Sequence, residues 1–184
     1  MILSSFLTSL LVLSVRAQSS SYTDSRTQIT FQAFNNPSGY TFGLSLPTTP
    51  QTDFIGILTG GIDGWAGVSL GGGMVGNLLI SAWANGNQVI TAFRKATLVV
   101  PKSNSPQLYF YLTCVRAYSP PPTVTGTYSI QSIANGTYVN ETHFTLTFLC
   151  KGCILDDGST FAATDTDGYL GWAMSSMSLS SNTS

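Results

Sequence analysis

Among the soft and borderline metal donors of this 184-residue chain, two side chains stand out. Met74 closes a glycine run, Gly71-Gly72-Gly73-Met74, and His143 is the only histidine. A thioether and an imidazole that meet across a fold are the axial pair of an electron-transfer haem. The cysteines are Cys114, Cys150 and Cys153. With His143 they would make a Cys₃His zinc set, and Cys150-x₂-Cys153 has zinc-like spacing. In an oxidising compartment the same pair forms a short local disulfide instead, and Cys114 is left as a buried free thiol. No histidine follows Cys153, so this is not a covalent haem attachment motif. A haem here would be b-type, held without thioether links.

Each donor also has a plainer reading. A lone histidine is more often a surface or hydrogen-bonded residue, and a methionine more often fills a gap in a core. Other short motifs fail on context. Gly71-Gly-Gly73-Met-Val-Gly76 spells the dinucleotide fingerprint, but no helix follows and no acidic residue lies about 20 positions on. Gly67-Val-Ser69-Leu-Gly71 spells a nucleophile elbow, which needs a strand-turn-helix. Asp156-Asp157 and Asp165-Thr-Asp167-Gly168 are carboxylate pairs, but the calcium-loop pattern does not reach its glutamate, and acidic turns with glycine are ordinary loop chemistry.

The elements that must position these groups repeat with a period of two. Thr41–Leu46, Trp65–Leu70, Val89–Phe93 and Thr142–Phe148 alternate clearly. Shorter strands are expected at Ile29–Phe34, Phe54–Leu58, Leu78–Trp83, Gln107–Leu112, Val124–Ile130 and Tyr169–Met174. No window reads as an amphipathic helix of three turns. About ten short strands separated by turn residues predict an all-β chain, an antiparallel β-sandwich or barrel. Alternation places Phe144, Leu146 and Phe148 on one face of their strand and His143, Thr145 and Thr147 on the other. Gly71 to Gly73 suit unusual dihedrals or close approach of backbone to a flat ligand, and Ser119-Pro-Pro-Pro122 reads as a stiff connection.

Residues 1–17 read as a secretory signal peptide, with an apolar run from Ile2 to Val15 and a small-residue cleavage site at Val15-Arg16-Ala17. Residues 18–178 suit a single domain, and 179–184 a polar tail. Charged residues are only 8% of the chain and the net charge is −1. Nothing basic clusters, so nucleic acid is not expected as a partner, and no stretch is long and apolar enough for a membrane span. Sequons at Asn135, Asn140 and Asn182 are N-glycosylation acceptors in a secreted protein.

Several separated segments together resemble one known family. They are Trp65-Ala-Gly-Val-Ser-Leu-Gly-Gly-Gly-Met74, Leu78-Leu-Ile-Ser-Ala-Trp-Ala-Asn-Gly-Asn-Gln88, Asn140-Glu-Thr-His143-Phe, and Phe148-Leu-Cys150-Lys-Gly-Cys153. Tyr22-Thr-Asp, Ile29-Thr-Phe-Gln32 and Gly171-Trp-Ala-Met174 match as well. The resemblance is to the cytochrome domain of the fungal cellobiose dehydrogenases and covers nearly all of residues 18–178. It implies an immunoglobulin-like, DOMON-type β-sandwich holding one non-covalent haem b, with iron ligated by Met74 and His143. It also implies a Cys150–Cys153 pair and sets Arg94 at the haem edge or partner surface. The chain would not itself be an enzyme. It would be an extracellular electron carrier that accepts single electrons from a flavin dehydrogenase. It would pass them to a copper lytic polysaccharide monooxygenase or another acceptor, with polysaccharide nearby.

On this reading the Met74 sulfur and a His143 ring nitrogen should face each other across a porphyrin-sized slot. The rival readings are a haem-free carbohydrate-binding β-sandwich using Tyr109, Tyr111 and Tyr118, and a small hydrolase using Ser69 or an aspartate pair.

Overall fold

The computed structural model describes residues 19–97, 121–165 and 167–177. The expected signal peptide, the polar tail, the strand at Gln107–Leu112, Cys114, the three tyrosines Tyr109, Tyr111 and Tyr118, and Asn182 lie outside them.

Eleven strands are present among the described residues: β1 (Ser20–Thr23), β2 (Thr30–Asn36), β3 (Tyr40–Ser45), β4 (Phe54–Gly61), β5 (Trp65–Ser69), β6 (Leu78–Asn85), β7 (Gln88–Lys95), β8 (Ser129–Ser132), β9 (Tyr138–Val139), β10 (His143–Lys151) and β11 (Gly171–Ser175). The only helical element among them is a single 3₁₀ turn at Ala134–Gly136. Two antiparallel sheets result. The first runs β1-β2-β3-β4-β10-β8, with β9 also on β10, and the second runs β11-β5-β6-β7. The expected antiparallel sandwich is therefore the observed fold.

The period-two reading holds where one face of a strand is buried. In β10, Phe144, Leu146, Phe148 and Cys150 enter the core. They meet Phe54 and Leu58 of β4 and, from the facing sheet, Ala66, Val68, Ile80 and Ala82. Burial of a Leu or Phe side chain contributes about 1.5–3 kcal/mol, so this inter-sheet layer is a large favourable contribution to the fold. Tyr40 is fully buried, and its hydroxyl donates to the carbonyl of Gly67 in the opposite sheet at 3.1 Å. That bond links β3 to β5 across the sandwich.

Three expectations shift. Val124–Ile130 is mostly not a strand: pairing starts only at Ser129, and the preceding segment makes one isolated bridge, Thr123 to Arg94. Pro121 and Pro122 have no N–H to offer a ladder. β1 and β9 carry no alternating apolar signal, since β1 is exposed along its whole length and β9 has two residues.

The sheets are unequal in width. The inner faces of β2 and β3 reach past the narrower sheet and are met there by its edge strand β11. Trp172 of β11 lies 5.0 Å from the Tyr40 ring and 5.7 Å from the Phe34 ring, centroid to centroid. A slot of about 570 Å³ opens between the sheets at this overhang, with Phe34, Tyr40, Phe42, Leu44, Val68 and Trp172 in its walls.

Candidate functional site

Met74 sits in the loop between β5 and β6, and the local sequence explains its shape. The Ser69 hydroxyl donates to the Gly73 carbonyl. The Asn77 side-chain amide donates to the carbonyls of Gly71 (3.1 Å) and Gly73 (2.7 Å). Gly72 and Gly76 take positive φ, +85° and +81°, a region that favours glycine. At Gly71 a Cβ would stand 2.4 Å from Asn77 Oδ1 and 3.0 Å from the Ser159 carbonyl oxygen. The close approach that the glycine run allows is thus made to the protein's own Asn77 and Ser159. Met74 is half-buried on this tightened loop. Gly72 lies against the backbone of Tyr169, and the neighbouring Leu170 and Gly171 line the slot.

His143 opens β10, and its surroundings are of a different kind. Asn140 Oδ1 accepts from the backbone N–H of Thr142 and of His143, at 2.9 Å each. Those bonds orient the amide and turn its nitrogen toward the imidazole, with Nδ2 at 3.2 Å from Nε2. An amide nitrogen only donates, so Nε2 accepts and the ring proton belongs on Nδ1. Nδ1 is 2.9 Å from the Thr142 hydroxyl. That hydroxyl is 3.2 Å from Asn140 Oδ1, to which it donates. The network is self-consistent, with Nε2 as the acceptor and Nδ1 as the donor. The ring faces outward, as alternation implies, into a polar groove of about 210 Å³ that also takes in Tyr22, Asp24, Thr59, Tyr138 and Thr145. Arg26 lies over the Tyr138 ring, 3.9 Å from its centroid.

The structure does not bring Met74 and His143 together, which corrects the expectation of one slot between them. The β4–β10 register sets His143 opposite Gly61, at the end of β4 that turns into β5. Met74 follows the other end of β5, beyond Ser69. The five residues of β5 alone span about 16 Å at ~3.3 Å per residue. The Met74 loop joins two strands of the narrower sheet, whereas His143 belongs to the wider one, and stacked sheets lie about 10 Å apart. His143 points away from the inter-sheet core. The described geometry therefore gives the two side chains no shared site.

Fitted against a haem, the described residues satisfy shape but not donors. The slot falls within the ~300–1,000 Å³ usual for ligand clefts, and its apolar, aromatic walls suit a flat macrocycle. No methionine, histidine or cysteine is among its lining residues.

The remaining candidates fall into place. Cys150 and Cys153 form a disulfide, with an S–S distance of 2.02 Å. It closes the turn at the end of β10, where Gly152 N donates to Asp53 Oδ1. Arg94 is half-buried on β7 and donates through Nη1 to the Pro121 carbonyl at 2.7 Å, so its guanidinium ties the 121–124 segment to the sheet. Asn135 and Asn140 are exposed. Ser69 is fully buried and spends its hydroxyl on Gly73, which removes it as a nucleophile. Asp157 and Asp165 each bond within their own turn, to Ser159 and Ala162. Among the described residues no group of three metal-binding side chains occurs, and no helix is long and apolar enough to cross a membrane.

The Tyr40–Gly67 bond and the slot had no sequence signal of their own. Trp172 and Tyr40 are 132 positions apart and share a wall only because β11 pairs with β5 rather than with its chain neighbours.

Comparison with known proteins gives a consistent result. The family profile for the cytochrome domain of cellobiose dehydrogenase matches residues 22–184. Among solved structures, the chain is similar to the cytochrome domain of Myriococcum thermophilum cellobiose dehydrogenase. The two share 30% identity with a TM-score of 0.68, over 89% of this chain and 77% of that one. It is also similar in fold to the cytochrome b domain of pyranose dehydrogenase from Coprinopsis cinerea. Here identity is 24% and the TM-score 0.67, over 88% of this chain and 75% of that one.

Proposed function

The chain belongs to the family of cytochrome domains of cellobiose dehydrogenase, and from that premise we propose that it works as a secreted electron carrier using a non-covalent haem b. Membership brings a haem cofactor and an electron-transfer role rather than catalysis of its own. The single observation that carries the reading is the family match across residues 22–184.

The finer parts of the reading rest on separate supports. Non-covalent binding is supported by the Cys150–Cys153 disulfide, which leaves neither sulfur for a thioether. Secretion is supported by the signal-like residues 1–17 and by that disulfide, since such bonds persist in oxidising compartments. Residues 18–178 form the cytochrome domain. Asn135 and Asn140 are exposed glycan acceptors. A flavin dehydrogenase is the proposed electron donor and a copper polysaccharide monooxygenase, or another extracellular protein, the acceptor. Met74, on the loop tied down by Ser69 and Asn77, and His143 are the residues that would supply a thioether and an imidazole to a haem if the family's ligand pair is kept. A thioether ligand favours the ferrous state and raises the potential.

The test is an absorption spectrum of the full chain expressed with haem supplied. The expected result is a sharp Soret band, with α and β bands on reduction. Met74→Ala should broaden or abolish them. A folded, colourless protein would refute the proposal.

A further inference from the structure

On the outer face of the wider sheet we propose a separate binding site, for a single ring of a neutral saccharide. It does not depend on the haem reading, because it lies outside the sandwich and the slot lies between the sheets. Its floor is one row of side chains in cross-strand register. Asn35 pairs with Thr41, Thr41 with Thr59, Thr59 with Thr145, and Thr145 with Tyr138. The strands β2, β3, β4, β10 and β9 thus contribute one hydrogen-bonding side chain each, about 4.8 Å apart from strand to strand. All of them line the outer groove of about 210 Å³.

The neighbouring row on the same face is of the opposite kind. Ala33, Gly43, Ile57 and Thr147 are also in register, and all are buried. Turns cover them: the Thr147 hydroxyl donates to the Gly136 carbonyl, and a Cβ on Gly136 would collide with Thr147 and Thr27. The cover stops at the polar row, and Asp24 stands at its edge. Asp24 is only 6% exposed. One of its carboxylate oxygens accepts from the Thr27 N–H and hydroxyl, at 2.8 and 2.6 Å. The other has no donor among the described residues, and Asp24 lines the groove. Desolvating a charged oxygen without a partner costs free energy, and a hydroxyl donated by a ligand in the groove would recover it.

The hydrogen-bond count selects the ligand class. The Thr41 hydroxyl donates to Asn35 Oδ1 at 2.8 Å. The Thr59 and Thr145 hydroxyls are 3.1 Å apart, so one donates to the other and one proton is left over. That proton and the Asn35 amide are spare donors, while Asp24 and the Thr41 oxygen are spare acceptors. No Lys or Arg lines the groove, so Asp24 repels a phosphate or sulfate. A cation would leave the donors unused and would meet Arg26, which lies over the Tyr138 ring. Sugar hydroxyls donate and accept at once. Tyr22, 39% exposed, offers its ring to the apolar face of a pyranose. The groove is smaller than the ~300–1,000 Å³ usual for ligand clefts, which limits it to one ring. Two sources supply such a ring. One is an external saccharide. The other is the first sugar of a glycan on Asn140, whose amide nitrogen is 3.2 Å from His143 Nε2 in the groove wall.

The experiment titrates the full chain, made in a host without N-glycosylation and supplied with haem, with D-glucose, D-mannose and N-acetyl-D-glucosamine. Saturation-transfer NMR should show saturable binding of at least one of them, with Kd on the order of 1–10 mM. Thr59→Val keeps the side-chain shape and removes a floor hydroxyl. Asn35→Ala removes an exposed amide, and it carries the test if the first variant folds poorly. Each should weaken binding about three- to tenfold, whereas Ser38→Ala, on an exposed turn outside the groove, should leave it unchanged. The same titration of chain from a glycosylating host separates the sources. Unchanged affinity assigns the groove to an external saccharide. Lost affinity that Asn140→Gln restores assigns it to the chain's own glycan. The inference is overturned if the unglycosylated chain binds none of the three sugars saturably, or if the folded floor variants bind as wild type does. Haem uptake is read separately from the Soret band, so a colourless chain counts against the electron-carrier reading alone.

Discussion

Replacing Tyr40 with Phe removes one oxygen atom from the centre of the sandwich. The hydroxyl donates to the Gly67 carbonyl at 3.1 Å and joins the two sheets. The ring is fully buried beside Trp172 and Phe34, so Phe fills the same volume and leaves no cavity. The loss is the hydrogen bond, together with a buried carbonyl left one partner short. That amounts to about 1–2 kcal/mol of stability at neutral pH. The pH dependence sharpens the test. Burial pushes the Tyr40 phenol far above its ordinary value of 10. In the unfolded chain it loses its proton near pH 10, while in the folded protein it keeps it. The folded state then binds the extra proton, so this tyrosine's contribution is complete below pH 10 and falls as pH rises above it. The decline is about 1.4 kcal/mol per pH unit. The stability gap between wild type and Tyr40→Phe should therefore close at about pH 11, where the lost titration penalty offsets the lost bond. Urea denaturation followed by tryptophan fluorescence from pH 7 to about pH 11 measures this directly. A gap that stays constant with pH would refute the claim that the hydroxyl is buried and protonated in the fold.

Three further outcomes follow from other sites. Gly56→Ala should destabilise the fold by about 1–3 kcal/mol in thermal denaturation, because its Cβ would stand 2.5 Å from the Phe148 ring. Cys150→Ser with Cys153→Ser should cost about 2 kcal/mol in chemical denaturation, the modest value expected for a very short closed loop. The carboxyls of Asp53 and Asp157 are held below the usual range. The chief causes are the Gly152 N–H for Asp53 and the Ser159 hydroxyl for Asp157. Their contribution is present above pH ~4 and lost as pH falls through the lowered values. The double variant Asp53→Asn, Asp157→Asn should therefore show a flatter loss of stability below pH 4 in acid titration by circular dichroism.

The resemblance and the geometry answer different questions about this chain. The family match fixes the fold and the haem role, whereas the register decides which side chains can share an iron. Asn140-Glu-Thr-His143 sits in a segment that resembles the family, and in this fold it forms a local hydrogen-bond network at the start of β10. The same Asn140 is a sequon acceptor, and a glycan there would attach at the nitrogen that now faces His143.

Much of the local architecture was legible without coordinates, because it depends on neighbours in the chain. Period-two burial marked β10 and placed His143 on the face opposite Phe144 and Leu146. The glycine run foretold an irregular loop at Met74, and the three-residue separation of Cys150 and Cys153 made a short disulfide natural. What the sequence could not supply was any relation set by non-local pairing. The slot exists because a wide sheet overhangs a narrow one and β11 returns to pair with β5. The separation of Met74 from His143 follows from the β4–β10 register and from the direction in which β5 runs back across the core. Residue types and spacing say which donors a chain owns. Only the ladder of hydrogen bonds between distant strands decides which of them meet.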